Sequence, residues 1–251
     1  MTEKRSVSDS LRADAGDDAS LLARLEQLWE LAAKGGDAFP GEPALASALA
    51  ASRAALREAL VRLEERGYIN RRQGMGTAIN RAVLDIPVRI DEKVENARII
   101  DAMGKVSRIE LIAMEWGEAT AEEIARFDAA QCFGVLRTTK VWYADESPVI
   151  KARDVIPVRS EGISRGDVDA RASVFELSEQ LGNRPAEWET VWLSAVHLGD
   201  DAVLMGGTPQ ESILELDVTG VAREGAAAYW ATERHRTVGF RYAMVRSLSE
   251  R

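Results

Sequence analysis

Apolar residues near the start of the chain recur at intervals of three or four positions, the spacing of an amphipathic helix, and they include Leu21, Leu25, Leu28 and Ala32. Gly35 and Gly36 follow this stretch directly and predict the end of the helix. The turn sequence FPGEP then places Pro43 near the first position of a second, short helix over about 43–50, where its missing N–H costs nothing. The pattern predicts two successive helices after a polar, disordered tail over residues 1–17.

A third helix is predicted over about 53–66, because Ser52 is a suitable N-cap and Gly67 is a suitable residue directly after the helix end. Its leucines fall within about 60° of arc and form one apolar face. Two short strands, 68–72 and 77–80, flank the glycine-rich sequence QGMG and predict a hairpin. Three helices followed by a hairpin are typical of a winged helix-turn-helix.

Charge is distributed unevenly along the chain. The whole protein carries 32 lysines and arginines against 41 aspartates and glutamates, a net charge of -9, whereas residues 51–77 hold six arginines and three glutamates. Arg53 and Arg57 lie one helical turn apart beside the small Ala54, so this face can approach another molecule closely. Any one of these arginines alone is equally compatible with an ordinary solvated surface. The combination of an N-cap, early cations and a glycine-rich hairpin fits a recognition helix with a wing.

The 251-residue length favours two compact domains, and a content of 46% apolar and 29% charged residues is typical of a globular protein. A single cysteine, Cys132, excludes an intramolecular disulfide, and two histidines far apart in sequence argue against a His/Cys metal site. The sequence has neither the apolar segment of a signal peptide nor an apolar run of about 18 residues. We therefore expect a cytoplasmic protein without a cofactor, a metal site or a membrane segment.

An internal repeat follows residues 81–92, which we expect to form a linker. A shift of 78 residues superimposes VLRTTKVWYADESPVIKARDV, which begins at residue 135, on ILELDVTGVAREGAAAYWATE, which begins at residue 213. A strand and a short helical segment precede each copy, so the order strand, helix, strand, hairpin, strand occurs twice. This predicts an α+β domain over 93–249, with a mixed, mainly antiparallel sheet and helices on one face. Coincidental strand patterning is the alternative.

The sequence FPGEPALASALAASRAALREALVRLEERGYINRRQGMGT resembles the DNA-binding domain of the GntR family of bacterial transcription regulators. The residues in register with the family pattern are Pro40, Glu42, Leu45, Leu49, Ser52, Arg53, Arg57, Ala59, Leu60, Gly67, Gly74, Gly76 and Thr77. Gly41, Ala55 and Met75 depart from it, where serine, threonine and a basic wing-tip residue are usual. The resemblance implies a winged helix-turn-helix over 18–80 that binds operator DNA. The contact residues that it implies are Ser52, Arg53, Ala54, Arg57, Arg72, Gln73, Gly74, Gly76 and Thr77.

Two later stretches, DESPVIKARDVIP and AYWATERHRTVGFRYAMVR, resemble the UTRA ligand-sensing domain of the HutC-type subfamily. The resemblance spans about 93–249 and implies a fold like that of chorismate lyase, with a small-molecule effector in a pocket lined by the two repeat hairpins. Lys140 keeps the chemistry of a usual pocket residue, whereas Trp142, Ala152, Tyr229 and His235 do not. Where the family usually has carboxylates that would bind sugar hydroxyls, this chain has none, and its aromatic rings add stacking surface instead.

The candidate effector-binding residues combine cations with rings, and they are Lys140, Trp142, Arg153, Tyr229, Trp230, Arg234 and His235. Cations fix a carboxylate or phosphate while rings cover an apolar body, so we expect an anionic effector, an organic acid, in preference to a neutral sugar. Each of these side chains taken alone is also compatible with a place in the core or on a solvated strand edge.

These features together predict a homodimeric, ligand-responsive repressor that binds a pseudo-palindromic operator through two winged helices. Two alternatives are left open. The second domain could serve dimerisation alone, without a ligand, or it could be an enzyme like the lyase whose fold it resembles. The sequence shows no nucleophile–base pair, metal-ligand spacing or phosphate-binding loop, so we do not expect an enzyme.

Overall fold

The computed structural model describes residues 20–72, 76–86, 88–92, 94–127, 132–164, 166, 168–237 and 241–246. The chain folds into two compact units. The first is formed by Met1–Lys93 together with Tyr242–Arg251, and the second by Val94–Arg241. The chain therefore passes between the units twice, once after Lys93 and once before Tyr242.

The elements of the first unit are three helices and a two-stranded antiparallel hairpin: α1 (Leu21–Gly35), α2 (Glu42–Ala48), α3 (Arg53–Glu65), β1 (Ile69–Arg72) and β2 (Gly76–Ile79). The predicted signals define their ends. The Ser52 hydroxyl accepts a hydrogen bond from the Ala55 N–H at 3.2 Å and caps α3. Gly67 follows α3 with φ of 74°, and Gly36 follows α1 with φ of 77°, both in the left-handed region. The predicted winged helix-turn-helix is confirmed.

The segment predicted as a linker, 81–92, is folded into this first unit. Arg81–Asp85 forms a short 3-10 helix, and its Val83 is buried in the core that the three helices enclose. Val88 is buried as well, at 3% exposed. The structure therefore does not support a linker here, because the apolar residues of the segment are used for packing.

The C-terminal segment also belongs to the first unit. The Ala243 N–H donates to the Val88 carbonyl at 3.1 Å, and the Ile90 N–H donates to the Ala243 carbonyl at 2.9 Å. Val245 packs against the core of the same unit. A second domain that ends at residue 249 is thus too long, since the second unit ends at Arg241.

The second unit is built on a six-stranded sheet. Its elements are α4 (Asn96–Ala102), β3 (Ser107–Gly117), α5 (Ala121–Phe127), β4 (Val135–Ala144), β5 (Ser147–Pro157), α6 (Val174–Gln180), β6 (Ala186–His197), α7 (Ala202–Met205), β7 (Ser212–Ala222) and β8 (Ala227–Arg236). The strand order is β3-β4-β5-β8-β7-β6, and every pairing in the described sheet is antiparallel.

The predicted repeat is present in this sheet. One copy contains β3, α5, β4 and β5, and the other contains β6, α7, β7 and β8, with α6 between them along the chain. The copies meet where β5 pairs with β8, so each copy ends in an edge strand, β3 or β6.

Helices cover both faces of the sheet, in contrast to the predicted single face. On one face, here called the α6 face, Leu177 packs in a cluster with Leu136 and Ile156. On the other, here called the α5/α7 face, Phe127 packs with their strand neighbours Val135 and Val155. Successive strand residues point to opposite faces, so these clusters identify the two sides. The residues that place α7 on the α5/α7 face are Val141, Leu198, Ala202, Met205 and Ile213.

Candidate DNA-binding surface and ligand site

The first turns of α3 form an exposed basic surface in the first unit. Ser52, Arg53, Ala54 and Arg57 are all exposed, because the apolar face of α3 is turned into the core. Arg53 makes no ion pair with any described residue. The Arg57 Nε donates to Glu42 Oε2 at 3.0 Å, but the two side chains are 67% and 42% exposed. Such a pair contributes little to stability and can exchange its carboxylate for a phosphate.

Ser52 has two available roles at this surface. Its oxygen accepts the Ala55 N–H, which satisfies one of the unpaired donors at the start of α3. The hydroxyl proton is not used in that hydrogen bond, so Ser52 keeps a donor for an external oxyanion. The small, exposed Ala54 lies between Arg53 and Arg57 in the sequence and leaves the helix backbone accessible.

The hairpin that forms the wing follows α3 directly. Arg72 is exposed and lies opposite Gly76, whose φ is 79°. Its neighbour Arg71 is held instead by Glu64, with Arg71 Nε 2.9 Å from Glu64 Oε2. Thr77 lies opposite Arg71 and is half-buried. Of the predicted wing contacts, Gln73 and Gly74 lie outside the described residues.

The corner between α2 and α3 contains a strained alanine. Ala50 has φ of 49°, in the left-handed region that L-residues other than glycine rarely adopt. The N-cap of α2 is Gly41, which makes no side-chain capping hydrogen bond. The sequence did not indicate the strain at Ala50, because alanine carries no signal for the left-handed region.

The structure places the candidate effector-binding residues on both sides of the sheet. Those on the α6 face are Lys140, Tyr229 and His235, and those on the α5/α7 face are Arg153, Trp230 and Arg234. Trp142 lies opposite Ile109 and Ile150 in the ladder and is 9% exposed. The seven residues therefore do not line one pocket as predicted. The physical reason is strand alternation, which separates Arg153 from Lys140 and Trp230 from Tyr229.

The Lys140 ammonium on the α6 face is buried and already paired with a carboxylate. Lys140 is 1% exposed, and its Nζ lies 3.0 Å from Asp154 Oδ2 and 2.8 Å from the Ala172 carbonyl. The Thr138 hydroxyl donates to the same Asp154 carboxylate at 2.9 Å. An anionic ligand would have to displace Asp154 to reach Lys140. No motif in the sequence marks Asp154 as the partner of Lys140, although the hairpin register that pairs β4 with β5 places it two positions from the residue opposite Lys140.

His235 and Tyr229 are likewise fixed by internal carboxylates. His235 Nε2 lies 3.1 Å from Glu233 Oε2, and the Tyr229 hydroxyl donates to Glu189 Oε1 at 2.6 Å. Burial, and the nearby Glu189 charge, raise the pKa of Tyr229 far above its ordinary value, so its hydroxyl remains a donor. Both side chains act here as parts of the core rather than as open ligand contacts.

The α5/α7 face carries an open cleft of about 210 Å³, here called the Arg153 cleft, lined by Lys151, Arg153, Thr232 and Arg234. Asp201 accepts from Lys151 Nζ at 2.5 Å and from Arg234 at 2.6 Å, and Arg234 also donates to Glu215 at 2.8 Å. Burial alone would raise the pKa of Asp201, but these hydrogen bonds outweigh burial and lower it. Arg153 is exposed and makes no ion pair with any described residue.

Trp230 lies beside this cleft but is committed to packing. Its indole N–H donates to Asp217 Oδ1 at 2.9 Å, and the Arg126 guanidinium lies 4.1 Å from the centre of its ring. Arg126 pairs with the same Asp217 at 2.8 Å. This arrangement fixes α5 on the sheet and does not leave the ring free for a ligand.

The edge strand β6 exposes large apolar side chains on both faces. Trp188 and Trp192 are 50% and 72% exposed, and Leu193 is 47% exposed. Strand β6 pairs only with β7 in the sheet, so its other edge carries unpaired backbone groups. Sequence alternation could not identify this strand as an edge.

The described part of the chain contains neither a metal-binding cluster nor a helix that could span a membrane. No group of three or more histidine, cysteine, aspartate or glutamate side chains there could hold a metal ion. None of the described helices is both long and apolar enough to cross a membrane.

Solved structures share the fold of this chain. PhnF from Mycobacterium smegmatis aligns with 92% of this chain and 100% of its own, at 19% identity and a TM-score of 0.55. YydK from Bacillus subtilis aligns with 91% of this chain and 99% of its own, at 13% identity and a TM-score of 0.69. The effector domain of PhnF alone covers 61% of this chain, and 94% of its own, at 16% identity and a TM-score of 0.53. The sequence has no significant match among curated proteins.

Two family models match the sequence, and they divide it as the fold does. The model of the gntR family of bacterial regulatory proteins matches residues 22–79, and the UTRA domain model matches residues 102–241. The first match covers the winged helix-turn-helix and the second covers the six-stranded sheet, more than half of the chain. The chain therefore belongs to the GntR family of bacterial transcription regulators that carry a UTRA effector-binding domain.

Proposed function

We propose that this protein is a homodimeric repressor of the HutC type that binds a pseudo-palindromic operator and releases or repositions on it when a small organic acid binds the second unit. The observation that carries the DNA-binding part is the exposed start of α3, where Arg53 has no ion pair with any described residue. Because its partner is chromosomal DNA, we place the protein in the cytoplasm.

The distribution of charge supports binding through this one surface. A protein of net charge -9 is repelled by DNA at long range, so attraction must come from a local patch. The sequence of residues 52–57, SRAALR, contains two arginines and no acid. DNA affinity comes largely from neutralised phosphates, and two such patches in a dimer would contact two half-sites about one helical turn or a multiple apart.

The edge strand β6 supports a homodimer, with a second copy of this chain as its occupant. Antiparallel pairing of β6 with the partner's β6 would satisfy the unpaired backbone groups of both edges and bury Trp192 and Leu193 in a self-complementary interface. Exposed aromatic side chains on an unpaired edge are otherwise a liability for aggregation. Trp192→Glu should therefore give a monomer in sedimentation velocity. The matched variant Val203→Glu, at an apolar residue of α7 that is 96% exposed, should stay dimeric.

The experiment that tests DNA binding begins with selection of an operator from random duplexes by the wild-type protein. Binding to that operator is then measured by fluorescence anisotropy for Arg53→Ala and Arg57→Ala. We expect each to lose about 1–3 kcal/mol, which is about 5- to 150-fold in Kd. Arg62→Ala serves as the control, because Arg62 lies on the same helix and pairs with Glu58 on an exposed face.

Three outcomes would contradict the proposal. Parental affinity in both Arg53→Ala and Arg57→Ala, with the fold intact by circular dichroism, would exclude this surface as the DNA contact. Equal losses in Arg62→Ala would show a general charge effect instead of a recognition helix. Activation of a reporter gene by the bound protein, in the absence of any acid, would exclude repression.

A further inference from the structure

The Arg153 cleft lies in a row of polar side chains that crosses the sheet. The ladder pairs Thr139 with Arg153, Arg153 with Thr232, and Thr232 with Asp217, so these residues lie side by side on four adjacent strands. Residues directly opposite in antiparallel strands have their Cβ atoms about 4.5–5.5 Å apart. Arg153 therefore lies between two threonine hydroxyls.

Arg153 differs from the other cations on the α5/α7 face. Each of those on α5 and on strands β4, β5 and β8 is held by at least one carboxylate, and the pairs are Arg126–Asp217, Arg137–Glu123, Lys151–Asp201, Arg234–Asp201, Arg234–Glu215 and Arg236–Glu211. Among these cations Arg153 alone has no such partner in the described residues, and it is exposed. Its guanidinium donors are thus free for an external acceptor.

The charges around the cleft leave an excess of one positive charge. Lys151, Arg153 and Arg234 face the two carboxylates of Asp201 and Glu215. Lys140 on the α6 face has no such excess, because Asp154 lies 3.0 Å from its Nζ in a site that is closed to solvent. Of the cations predicted to bind the effector, Arg153 is the one that an incoming anion can reach without breaking a buried ion pair.

The shape of the cleft fits a small ligand. Helix α5 covers the sheet around Val135 and Val155, and α7 covers it around Val141, which leaves the strip through Arg153 open between them. The volume of about 210 Å³ equals that of about seven waters at ~30 Å³ each, enough for a small acid but not for a nucleotide.

We propose that the Arg153 cleft binds the oxyanion group of a small metabolite, a carboxylate or a phosphate, with Arg153 as a bidentate donor and the hydroxyls of Thr139 and Thr232 as secondary donors. Two oxygens of a carboxylate or a phosphate match the two parallel N–H groups of a guanidinium, so the contact is directional as well as charged. This proposal rests on the proposed function, because it locates the acid effector that the function requires.

The test uses full-length protein and known anions. Inorganic phosphate, benzoate and citrate are titrated by calorimetry at constant ionic strength, into wild type, Arg153→Ala and two controls. Arg184→Ala removes an arginine that is 79% exposed and pairs with Glu224. Arg98→Ala removes an exposed arginine of α4 that makes no ion pair with any described residue. We expect saturable binding of at least one anion, at least tenfold weaker in Arg153→Ala and unchanged in both controls. Phosphate and the two carboxylates, compared in this way, distinguish a phosphorylated effector from an organic acid.

Two results would overturn the site: saturable anion binding that survives Arg153→Ala, or no saturable binding of any of the three anions. Operator binding measured with the same anions separates this proposal from the proposed function. If an acid releases operator equally from wild type and Arg153→Ala, the effector response stands and the Arg153 site is wrong. If binding depends on Arg153 but operator affinity never changes, the site is supported and the effector response is contradicted.

Discussion

Replacement of Gly67 by alanine tests whether the C-terminal segment stabilises the first unit. Gly67 follows α3 with φ of 74°, and a Cβ built at this position would lie 2.4 Å from Val245 Cγ1. Gly36 follows α1 with nearly the same φ, 77°, but a Cβ there meets no atom within 4 Å. The two glycines therefore share the backbone requirement and differ only in the contact with Val245.

The expected loss of stability has two contributions, the strain of a positive φ and the contact with Val245. Alanine in the left-handed region costs about 1–2 kcal/mol, and about 0.4–1 kcal/mol of this is offset because alanine restricts the unfolded chain. Gly36→Ala should thus lower the free energy of unfolding by about 1 kcal/mol. Gly67→Ala adds an overpacked contact, which costs about 1–3 kcal/mol more. We expect a total loss of about 2–4 kcal/mol at Gly67.

Hydrogen exchange measured by mass spectrometry is a suitable assay, because peptides from α1 and α3 report on the first unit alone. Protection in these peptides should fall about 10-fold for every 1.4 kcal/mol lost. In a Val245→Ala background the nearest side-chain atom would be Val245 Cβ at 3.5 Å, an ordinary contact. The extra cost of Gly67→Ala should then disappear. Equal effects of Gly67→Ala and Gly36→Ala in the parent protein would refute the docking of the C-terminal segment.

Three further predictions concern single positions. Hydrogen bonds from Arg137 lower the pKa of Glu123 from 4.5 to about 2. This shift contributes about 3 kcal/mol to the free energy of unfolding above pH 4.5, and the contribution is lost as the pH falls to about 2. In Glu123→Gln the urea midpoint should change less with pH over this range. Ala50→Gly should raise the free energy of unfolding by about 1 kcal/mol in thermal melts, because it relieves the strain at φ of 49°. Lys140→Ala should destabilise the second unit by about 3–5 kcal/mol, because it leaves Asp154 buried without its ion pair. A Lys140→Ala variant as stable as the parent protein would contradict that pairing.

Local signals were sufficient to predict the first unit. Helix periodicity, the cap at Ser52 and the glycine after α3 act over a few residues, and each determines a helix boundary by itself. The repeat in the second half was also readable, because the same order of elements occurs twice at a fixed spacing. Contacts between distant segments could not be predicted from the sequence. Ala243 pairs with Val88 and Ile90 across more than 150 residues, and no short pattern in the sequence marks that pairing.

The candidate ligand site was predicted only in part, because a strand pattern does not say which face each residue occupies in the folded sheet. Lys140 and Arg153 both appeared as cations on neighbouring strands. Their surroundings differ because the ladder places Arg153 opposite Thr139 and Thr232, whereas Lys140 points to the α6 face, where Asp154 also lies. Alternation therefore decided which cation is neutralised and which is left open.

An exposed arginine without a nearby carboxylate is informative in this protein because acids outnumber bases, 41 to 32. With such a composition, a cation has many chances to find an acidic partner, and most cations of the α5/α7 face have one. Arg53, Arg72 and Arg153 are exposed and have none among the described residues. An unpaired arginine contributes little to folding, but it attracts the first oxyanion that fits its surroundings. The DNA phosphate at α3 and the metabolite oxyanion at Arg153 would then be bound by the same chemistry, and the shape around each arginine would decide which anion it takes.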